Sequence, residues 1–385
     1  MKKALVVATI VGFITSFEMN DIHILQEMGY EVHIASNMDN CSNAKKLDYL
    51  LSTGVISHNI KFHRNPFCIG NIKAFKELRK LMDDANFDLL HCHTPVGGVL
   101  GRIAAYCAGI PKVIYTAHGF HFYDGAPLQN WLIFYPVEKI LSKCTDVLIT
   151  INREDYKRAS NNFYARKTVY IPGVGVDTEK FATCSVDIKK KRQELGVRPE
   201  DFLLLSVGEL NQNKNQKVII DALGKLKSDN GIDNIMYLVV GTGDLQSEYE
   251  RLIKEYGIEE HVKLLGYRTD IGELCKTVDC FVHPSIREGL GIAPLEAMAS
   301  GLPIISSYIG GMRDYTKDGV SGCCVNPRSV TEMANAIKKM QSDKHFRMKC
   351  GENNLKTAKK FDICNTEEIM KGVYTKVKSH FINNI

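Results

Sequence analysis

Short apolar runs alternate with amphipathic stretches along nearly the whole chain, and this alternation constrains the fold more than any other feature. A run rich in Val, Ile and Leu is typical of a parallel strand buried on both faces, and the stretch between two runs is typical of a connecting helix. In the first half the predicted strands are Ala4–Ala8, Glu31–Ala35, Leu89–His91, Lys112–Thr116, Val147–Ile151 and Val169–Ile171. The predicted helices between them include Asp21–Met28, Ile72–Met82 and Gly98–Ala108.

A second series of the same kind follows a polar, lysine-rich segment. Its predicted strands are Phe202–Val207, Met236–Val240, Val262–Leu265, Cys280–His283, Pro303–Ser306 and Gly322–Val325. Its predicted helices include Gln216–Lys227, Gln246–Tyr256, Leu295–Ala299, Thr331–Ser342 and Glu367–Ser379. A chain of 385 residues is also longer than one hydrophobic core usually supports. We therefore predict an α/β protein with two facing Rossmann-like, doubly wound domains, whose ligands bind loops that follow strands in the cleft between them.

The polar, lysine-rich segment between the two series of strands sets the predicted domain boundaries. Residues 1–173 form the first predicted domain, 174–198 a linker, and 199–363 the second domain. The last helix, over residues 364–385, is expected to pack back on the first domain.

Composition narrows the classes of partner. A net charge of +5 and a pI near 8.5 suit phosphate-bearing ligands or an anionic membrane surface without requiring either, and no aromatic-basic motif points to nucleic acid. Twelve cysteines without paired C-x2-C units indicate reduced thiols rather than a disulfide framework or a zinc site.

The chain start resembles a secretory signal, because Lys2 and Lys3 precede an apolar run. Thr9 and Gly12 interrupt that run, and no small-x-small cleavage site follows, so a first buried strand is the preferred interpretation. No apolar stretch reaches the length of about 18 residues that a spanning helix needs. We predict a cytoplasmic protein.

The segment from His283 to Pro303 carries the strongest functional signal. A predicted strand ends at its first residue, a glycine-containing loop follows, and Pro294 is expected at the first position of a helix. The backbone amides of Leu290, Gly291 and Ile292, together with the helix start, offer donors and positive potential to a diphosphate.

Two glutamates flank this loop. Glu288 and Glu296 are spaced as in the E-x7-E signature, and the segment resembles retaining glycosyltransferases of family 4 with the GT-B fold. Taken alone, Glu288 would be interpreted as a solvent-exposed side chain and Glu296 as one that interacts with the helix dipole. The resemblance implies that the second half binds a nucleotide diphosphate-sugar without a metal or other cofactor, with Glu288 positioning the transferred sugar and Glu296 contacting the ribose.

A second match to this family lies in the loop after the strand that ends at Val207. Gly208 and Lys214 fit the pattern that directs a lysine to the donor phosphates, but Glu209 stands where family members usually carry an arginine. A carboxylate cannot bind phosphate, so neutralisation of the diphosphate is expected from Lys214 and the loop amides. An exposed Lys214 without a ligand is the alternative.

The segment from Leu264 to Asp270 resembles the loop that family members fold around the nucleotide base. Two interpretations of Arg268 stay open, a contact to phosphate or base and an exposed side chain. Gly241 and Gly243 lack the third glycine of a dinucleotide fingerprint and give only weak support for a nicotinamide enzyme.

Histidines follow two strands in the first half. His91 and His93 suggest a metal site, but we expect them on opposite faces of their strand, so no metal is predicted. By resemblance, His118 orients the donor sugar or stabilises developing charge, and His121 is the nearby alternative. Gly12, in a loop after the first strand, corresponds loosely to a turn near phosphate and acceptor.

The stretch from Thr116 to Leu141 resembles transferases that build lipid-linked oligosaccharides. Its aromatic side chains are expected either to pack in the core or to contact a polyprenyl chain or the membrane interface. The predicted helix Ile72–Met82 combines an apolar face with lysines, which suits an anionic lipid surface or simple exposure to solvent.

We therefore predict a retaining, metal-independent hexosyltransferase of bacterial surface polysaccharide synthesis. Its partners would be a nucleotide-sugar donor, with UDP-sugar favoured, and a polyprenyl-linked or saccharide acceptor, with peripheral contact to the inner membrane as a further expectation. A UDP-sugar 2-epimerase, which shares two facing Rossmann-like domains, is the main alternative. A non-catalytic sugar-nucleotide sensor is the third.

Overall fold

The computed structural model describes residues 1–39, 41 and 43–375, and the chain divides into two compact units. Unit 1 comprises Met1–Val174 and the described residues from Cys364 onward, and unit 2 comprises Gly175–Ile363. Each unit contains one parallel sheet with helices between its strands.

Unit 1 contains a seven-stranded sheet in the order β3-β2-β1-β4-β5-β6-β7. Its strands are β1 (Lys2–Ile10), β2 (Tyr30–Asn37), β3 (Ile56–Asn59), β4 (Leu89–His93), β5 (Val113–Ala117), β6 (Val147–Thr150) and β7 (Lys167–Tyr170). Its first helices are α1 (Val11–Phe17), α2 (Met19–Glu27), α3 (Ala44–Ser52), α4 (Gly70–Ala85), α5 (Pro95–Ala108), α6 (Leu128–Leu141) and α7 (Arg153–Asn162). The chain reverses its direction across the sheet between β1 and β4, and ligands of such folds bind beside that point.

The predicted strands of unit 1 are all present. Most are apolar runs that the sheet buries, whereas the edge strand β7 is only partly buried. The edge strand β3 was not predicted. Its sequence, Ile-Ser-His-Asn, is short and mostly polar, and Ile56 is 41% exposed, so the segment has no apolar run to find.

Unit 2 contains a six-stranded sheet in the order β10-β9-β8-β11-β12-β13. Its strands are β8 (Phe202–Val207), β9 (Ile235–Val240), β10 (Val262–Gly266), β11 (Cys280–His283), β12 (Ile304–Ser307) and β13 (Gly322–Val325). Its helices are α8 (Thr178–Thr183), α9 (Ile188–Glu194), α10 (Lys217–Ser228), α11 (Gln246–Glu255), α12 (Ile271–Thr277), α13 (Ile292–Ala299), α14 (Val330–Ser342) and α15 (Lys344–Ala358).

The segment predicted as a linker, residues 174–198, contains α8 and α9, which pack against α13 and α12 of unit 2. Asp177 accepts a hydrogen bond from the Lys180 amide, and Asp187 accepts one from the Lys190 amide. Both aspartates are N-caps, which stabilise short helices in a sequence of low apolar content.

The last described helix, α16 (Ile363–Thr375), packs in unit 1. The Tyr374 hydroxyl lies 2.7 Å from Nδ1 of His91, and Lys112 donates a hydrogen bond of 2.7 Å to the Tyr374 carbonyl. Of the helix predicted over 364–385, residues 376–385 lie outside the described residues.

A buried ion pair joins α5 to α6 in unit 1. The Arg102 guanidinium is fully buried, lies 2.7 Å from the Glu138 carboxylate and stacks over the Tyr115 ring at 3.9 Å. The Tyr115 hydroxyl donates a second hydrogen bond of 3.0 Å to Glu138. A charge in this position is stable only because its partner is buried with it.

Glu138→Ala should lower the free energy of unfolding by about 3–5 kcal/mol, because the Arg102 charge stays buried without its carboxylate. Urea titration measures the change. The control is Glu255→Ala, which breaks the exposed Arg251–Glu255 pair and should cost about 0–1 kcal/mol. Equal losses in the two variants would show that the buried pair has no special role.

Candidate active site

The candidate site of unit 2 is built from the loops that follow β8 and β11. These neighbouring strands pair directly, with Leu205 opposite Phe281, at the point where the strand order of the sheet reverses. The Ile286 amide donates to the Asn213 carbonyl at 2.8 Å, and the Asn213 side chain donates back to the Arg287 carbonyl at 2.9 Å. The two loops are therefore fixed to each other by one backbone hydrogen bond and one from the Asn213 side chain.

Lys214 and Glu288 meet in this site. Lys214 Nζ lies 2.8 Å from Glu288 Oε2, and His283 Nε2 lies 3.1 Å from the same oxygen. Burial alone raises the pKa of Glu288, but the hydrogen bond from His283 and the charge of Lys214 outweigh it and lower that pKa to about 2. Glu288 is thus a carboxylate at neutral pH. Burial lowers the pKa of His283, which favours its neutral form.

Glycines allow the loop around Glu288 to pack tightly against the next turn. Gly291 has a φ of 87°, in the left-handed region that favours glycine. A Cβ on Gly311 would lie 1.9 Å from the Gly289 carbonyl oxygen, and one on Gly310 would lie 2.4 Å from the Glu288 carbonyl oxygen. Any side chain at these two positions would displace the loop that carries Glu288.

Helix α13 begins at Ile292, directly after Gly291, so Leu290, Gly291 and Ile292 form the turn into the helix as expected for a diphosphate-binding loop. Pro294 is the third residue of α13, not the first as predicted. The position is tolerated because the first turn of a helix has no intrahelical acceptor for its amides. The Tyr315 hydroxyl donates a 2.7 Å hydrogen bond to the Leu290 carbonyl and fixes the turn.

The remaining predicted donor residues of unit 2 lie in different surroundings. Glu296 is half-buried on α13, and Gly208 lies under the aliphatic stem of Lys214. The Arg268 guanidinium is bound by two carboxylates, 2.8 Å from Asp270 and 2.7 Å from Glu194, and the hydrogen bonds from these acids raise its pKa.

Three neighbouring residues have a structural explanation. Glu209 is exposed and accepts a 3.0 Å hydrogen bond from Asn211. Gly241 and Gly243 lie against the loop after β8, since a Cβ on them would lie 2.0 Å from the Gly208 carbonyl oxygen and 2.4 Å from the Leu210 carbonyl oxygen. This close backbone approach accounts for both glycines without a dinucleotide.

Unit 1 contains a second group of titratable residues at the matching edge of its sheet. We name it the histidine–acid cluster, and its members are Glu18, Asp21, His91, His93 and His118. His118 Nε2 lies 3.2 Å from His93 Nδ1 and 3.3 Å from Glu18 Oε1. His118 lines a small cleft together with Glu18, Asp21 and the α16 residues Thr366, Glu367 and Met370.

Burial sets the charge of this cluster. It raises the pKa of Glu18 to about 8 and lowers the pKa of His91 to about 3 and that of His118 to about 4. The pKa of Asp21 is raised well above its usual value by burial and by the neighbouring Glu18. At neutral pH the cluster is therefore mostly uncharged, with its carboxyl groups protonated and its imidazoles in the neutral form, each with one N–H.

The expectation that His91 and His93 lie on opposite faces of their strand was wrong. Their rings lie 4.1 Å apart, on one side of β4. Successive side chains alternate across a strand, so residues two positions apart share a face. The imidazoles thus join the same cluster.

Two further predicted residues of unit 1 lie beside the cluster. Gly12 lies inside α1 rather than in a loop, because the apolar sequence continues past the strand. A Cβ on Gly12 would have open space around it, so the position does not require glycine. Phe13, the next residue, contacts the His118 ring edge-on at 4.7 Å. The His121 ring lies against Phe134 at 4.7 Å.

Comparison with known proteins identifies the family. Residues 187–357 match the family model "Glycosyl transferases group 1", and residues 5–152 match "Glycosyl transferase 4-like". The chain is 39% identical over 378 residues to EpsD of Bacillus subtilis, covering 97% of this chain and 96% of EpsD. The chain belongs to the group 1 glycosyltransferases. The family predicted from the two glutamates is thereby confirmed.

A second relative and two solved structures extend the comparison. The glycosyltransferase is 31% identical over 314 residues, 81% of each chain, to the UDP-Gal:alpha-D-GlcNAc-diphosphoundecaprenol alpha-1,3-galactosyltransferase of Escherichia coli. Its fold is similar to that of Anabaena HepE, with a TM-score of 0.80 at 22% identity over 98% of this chain and all of HepE. WaaG gives a TM-score of 0.72 at 18% identity, over 97% and 100% of the two chains. The predicted α/β GT-B fold class is confirmed.

Sequence reasoning missed Glu18, Asp21 and Tyr374 in this glycosyltransferase. The detectable signal was a pair of acids, three residues apart, in the largely apolar stretch from Val11 to Leu25. Tyr374 gave no signal, because only the return of α16 to unit 1 brings it to His91.

The cluster also bears on metal binding. Glu18, His93 and His118 each offer one ligand atom within 4.8 Å of the others, as do Asp21, His91 and His93. Carboxylate and imidazole suit a transition metal. Because His91 and His93 share one face of β4, strand geometry no longer supports the predicted absence of a metal. That prediction has to be tested by a metal-binding measurement.

Glu18→Gln should make stability less dependent on pH. In the wild type, the pKa of the Glu18 carboxyl is 4.5 in the unfolded chain and about 8 in the folded chain. The contribution of this carboxyl to the free energy of unfolding is therefore complete below pH 4.5 and is lost as pH rises to about 8. The stability of the wild type relative to the variant should fall by up to about 5 kcal/mol across that window. Urea titrations at several pH values measure it, with exposed Glu27→Gln as control. A constant difference between wild type and Glu18→Gln would contradict the buried neutral carboxyl.

Proposed function

We propose that this glycosyltransferase transfers a hexose from a UDP-sugar to a polyprenyl-linked saccharide or another glycan acceptor, with retention of anomeric configuration. The observation that carries the proposal is the contact of Lys214 with Glu288 beside the start of α13. A cation, a carboxylate and a turn of backbone amides stand together there, in the loops where doubly wound sheets bind nucleotides.

Each group has one role. The amides of Leu290, Gly291 and Ile292 and the Lys214 ammonium bind the diphosphate, and Glu288 accepts hydrogen bonds from hydroxyls of the transferred sugar. Lys214 has three N–H donors. One of them donates to Glu288, so the other two can donate to phosphate oxygens. Glu296 accepts a hydrogen bond from the ribose, and Gly208 lets the Lys214 stem approach the β8 loop.

Arg268 has a lesser role in the proposal. Its two carboxylate partners hold its side chain, so it shapes the loop after β10 against the base rather than neutralising phosphate. In unit 1, His118 is assigned to the sugar, while His121 and the α1 segment with Gly12 are assigned to the acceptor.

Three similar proteins support the choice of substrates. HepE has been solved with UDP and glucose and with UDP-glucose, which favours a UDP-sugar donor. The E. coli relative uses UDP-Gal and a diphosphoundecaprenol-linked acceptor, and CapM of Staphylococcus aureus belongs to capsular polysaccharide biosynthesis. The names of these two bacterial relatives fit a cytoplasmic enzyme of bacterial surface polysaccharide synthesis.

The reaction needs no oxidant and no covalent enzyme intermediate. The bond between the anomeric carbon and the diphosphate oxygen breaks, and UDP takes its electron pair. The acceptor oxygen attacks the same face of the sugar, and its proton passes to the departing diphosphate. Lys214 and the loop amides stabilise the charge that develops on UDP, which is electrostatic catalysis by preorganised donors.

Calorimetric titration with a panel of UDP- and GDP-sugars, followed by analysis of products formed with and without saccharide acceptors, tests the proposal. We expect one UDP-sugar to bind best and a glycoside of retained configuration to form only with acceptor. A C2-epimer of the donor formed without acceptor would establish the epimerase instead. Donor binding with neither transfer nor slow hydrolysis would indicate a sensor.

Glu296→Ala should weaken donor binding about tenfold or more, because the ribose hydroxyl loses its acceptor. Glu288→Ala should mainly reduce kcat, by about 100-fold, because the sugar and Lys214 both lose a positioning partner. Titration and initial rates separate the two effects. The control is Glu250→Ala, which removes an exposed carboxylate from α11 and should change neither quantity. Unchanged constants in both site variants would refute the donor assignment.

Treatment with EDTA followed by gel filtration should leave transfer within about twofold of the untreated rate, because Lys214 and the amides replace a metal as the stabiliser of UDP. Mass spectrometry of metals in the treated protein verifies removal. A rate that collapses and returns on adding one divalent metal would contradict the prediction and assign the stabilisation of UDP to a metal ion.

A further inference from the structure

Three members of the histidine–acid cluster lie at the corners of a nearly equilateral triangle. Glu18 Oε1 lies 3.4 Å from His93 Nδ1 and 3.3 Å from His118 Nε2, and the two nitrogens lie 3.2 Å apart. Zinc binds imidazole nitrogen and carboxylate oxygen at about 2.0–2.2 Å, so two ligands of a tetrahedral site are about 3.3–3.6 Å apart. The triangle therefore has close to the dimensions of one face of a zinc site. We name these three residues the Glu18 triad.

Hydrogen bonding does not account for the position of Glu18 in the triad. The distance between the two imidazoles also fits a hydrogen bond, but both distances from Glu18 Oε1 exceed the usual range of about 2.7–3.2 Å. Among the residues that the structure describes, none donates a hydrogen bond to this oxygen, although Glu18 is only 1% exposed. A buried oxygen without a donor is destabilising, and a metal ion bound to it removes that penalty.

The fold holds each member of the triad on a different element. His93 is the last residue of β4 and His118 follows β5, and these strands pair with His93 opposite Thr116. Glu18 lies between α1 and α2, where its amide donates a hydrogen bond of 2.9 Å to the Ile14 carbonyl. Ligands on paired strands and a helix junction are preorganised, so little conformational entropy is lost when an ion binds.

The groups around the triad are those that a metal-binding imidazole needs. Asp21 hydrogen-bonds to Glu18, and one of its carboxyl oxygens lies within 4.8 Å of a ring nitrogen of His93. A carboxyl group beside a metal-binding imidazole orients the ring and makes it a better ligand. The Phe13 ring contacts the His118 ring edge-on at 4.7 Å and restricts its rotation.

A small cleft beside the triad provides a fourth position for a ligand. It is lined by Glu18, Asp21 and His118 together with Thr116 and Thr366, and its volume is about 10 Å³. A single water molecule needs about 10–15 Å³ measured in this way. Two imidazoles, one carboxylate and one water form a common ligand set of zinc in proteins.

The other triad of the cluster, Asp21, His91 and His93, suits an ion less well. Nδ1 of His91 lies 2.7 Å from the Tyr374 hydroxyl, and its Nε2 lies 2.8 Å from the Thr116 hydroxyl. Both ring nitrogens of His91 are therefore used by the protein itself. An ion at this position would have to break one of these hydrogen bonds, which favours the first triad.

We propose that Glu18, His93 and His118 bind one zinc ion, with water as the fourth ligand. The carboxyl proton of Glu18 passes to solvent on binding, and each imidazole binds through the nitrogen that carries no hydrogen. The ion ties the junction of α1 and α2 to the ends of β4 and β5. His118 keeps an N–H at Nδ1 for the donor sugar, and Lys214 keeps its role at UDP, so zinc takes no part in the proposed transfer.

Calorimetric titration of the full chain, prepared without a histidine tag, tests the proposal. The protein is treated with EDTA, passed over a gel-filtration column and titrated with Zn²⁺ at neutral pH. We expect one ion per chain, and a thermal midpoint that rises by about 5–10 °C when free zinc exceeds the Kd a hundredfold. Co²⁺ in place of Zn²⁺ should give the intense visible absorption of a four-coordinate ion.

Variants of the triad locate the ion. Glu18→Gln should weaken zinc binding by about 100-fold or more, because a neutral amide of the same size replaces a charged ligand. His118→Gln should weaken binding by as much and remove the cobalt absorption. His91→Gln should weaken binding by less than about tenfold, since His91 is a neighbour of the ion and not a ligand. His345→Gln is the matched control, because it removes an exposed imidazole from α15 of unit 2 and should bind as the wild type does.

Four outcomes would overturn the proposal. The first is no zinc binding by the wild type, which would indicate an ordered water beside Glu18. The second is equal affinity in the wild type and both triad variants, and the third is a loss of binding in His345→Gln, which would indicate an adventitious ion only. The fourth is a cobalt absorption as weak as that of the aqueous ion. These assays contain no nucleotide sugar, so their result is separate from the test of the proposed transfer.

Discussion

The direct pairing of the first and fourth strands of each sheet is the constraint on which the rest of the molecule depends. In unit 2, β8 pairs with β11, and in unit 1, β1 pairs with β4. At this junction the connecting helices leave in opposite directions along the sheet, so two loops diverge and leave a space above the strand ends. Lys214 and Glu288 occupy one such junction, and the histidine–acid cluster occupies the other.

The two junctions shift the pKa of a buried glutamate in opposite directions. Glu288 meets Lys214 and His283, which lower its pKa, so its charge is retained even though it is mostly buried. Glu18 meets imidazoles that burial keeps neutral, so no cation is present to hold its charge. The same side chain is therefore an anion in unit 2 and a neutral acid in unit 1.

Most of the fold could be predicted from the sequence, because buried parallel strands are apolar runs that stand out from the helices between them. The polar edge strand β3 and the capped helices α8 and α9 could not, since their stability comes from pairing and capping rather than from an apolar pattern. In the candidate site, Glu288, Lys214 and the 290–292 turn were found because they belong to contiguous motifs. Glu18, Asp21 and Tyr374 were not, because they meet His91 and His118 only after distant segments have folded together.

The sequence by itself determined the class of the chain, the order of its strands and helices, and the residues of the donor motif, because these depend on local periodicity and on residues close in sequence. Only the tertiary structure decided that Glu18 and His118 meet His93, which glutamate keeps its charge, that Arg268 is held by two carboxylates, and that one side of α6 is left uncovered. The physical reason is that burial and ion pairing arise between residues far apart in the chain, and a local pattern carries no information about such partners.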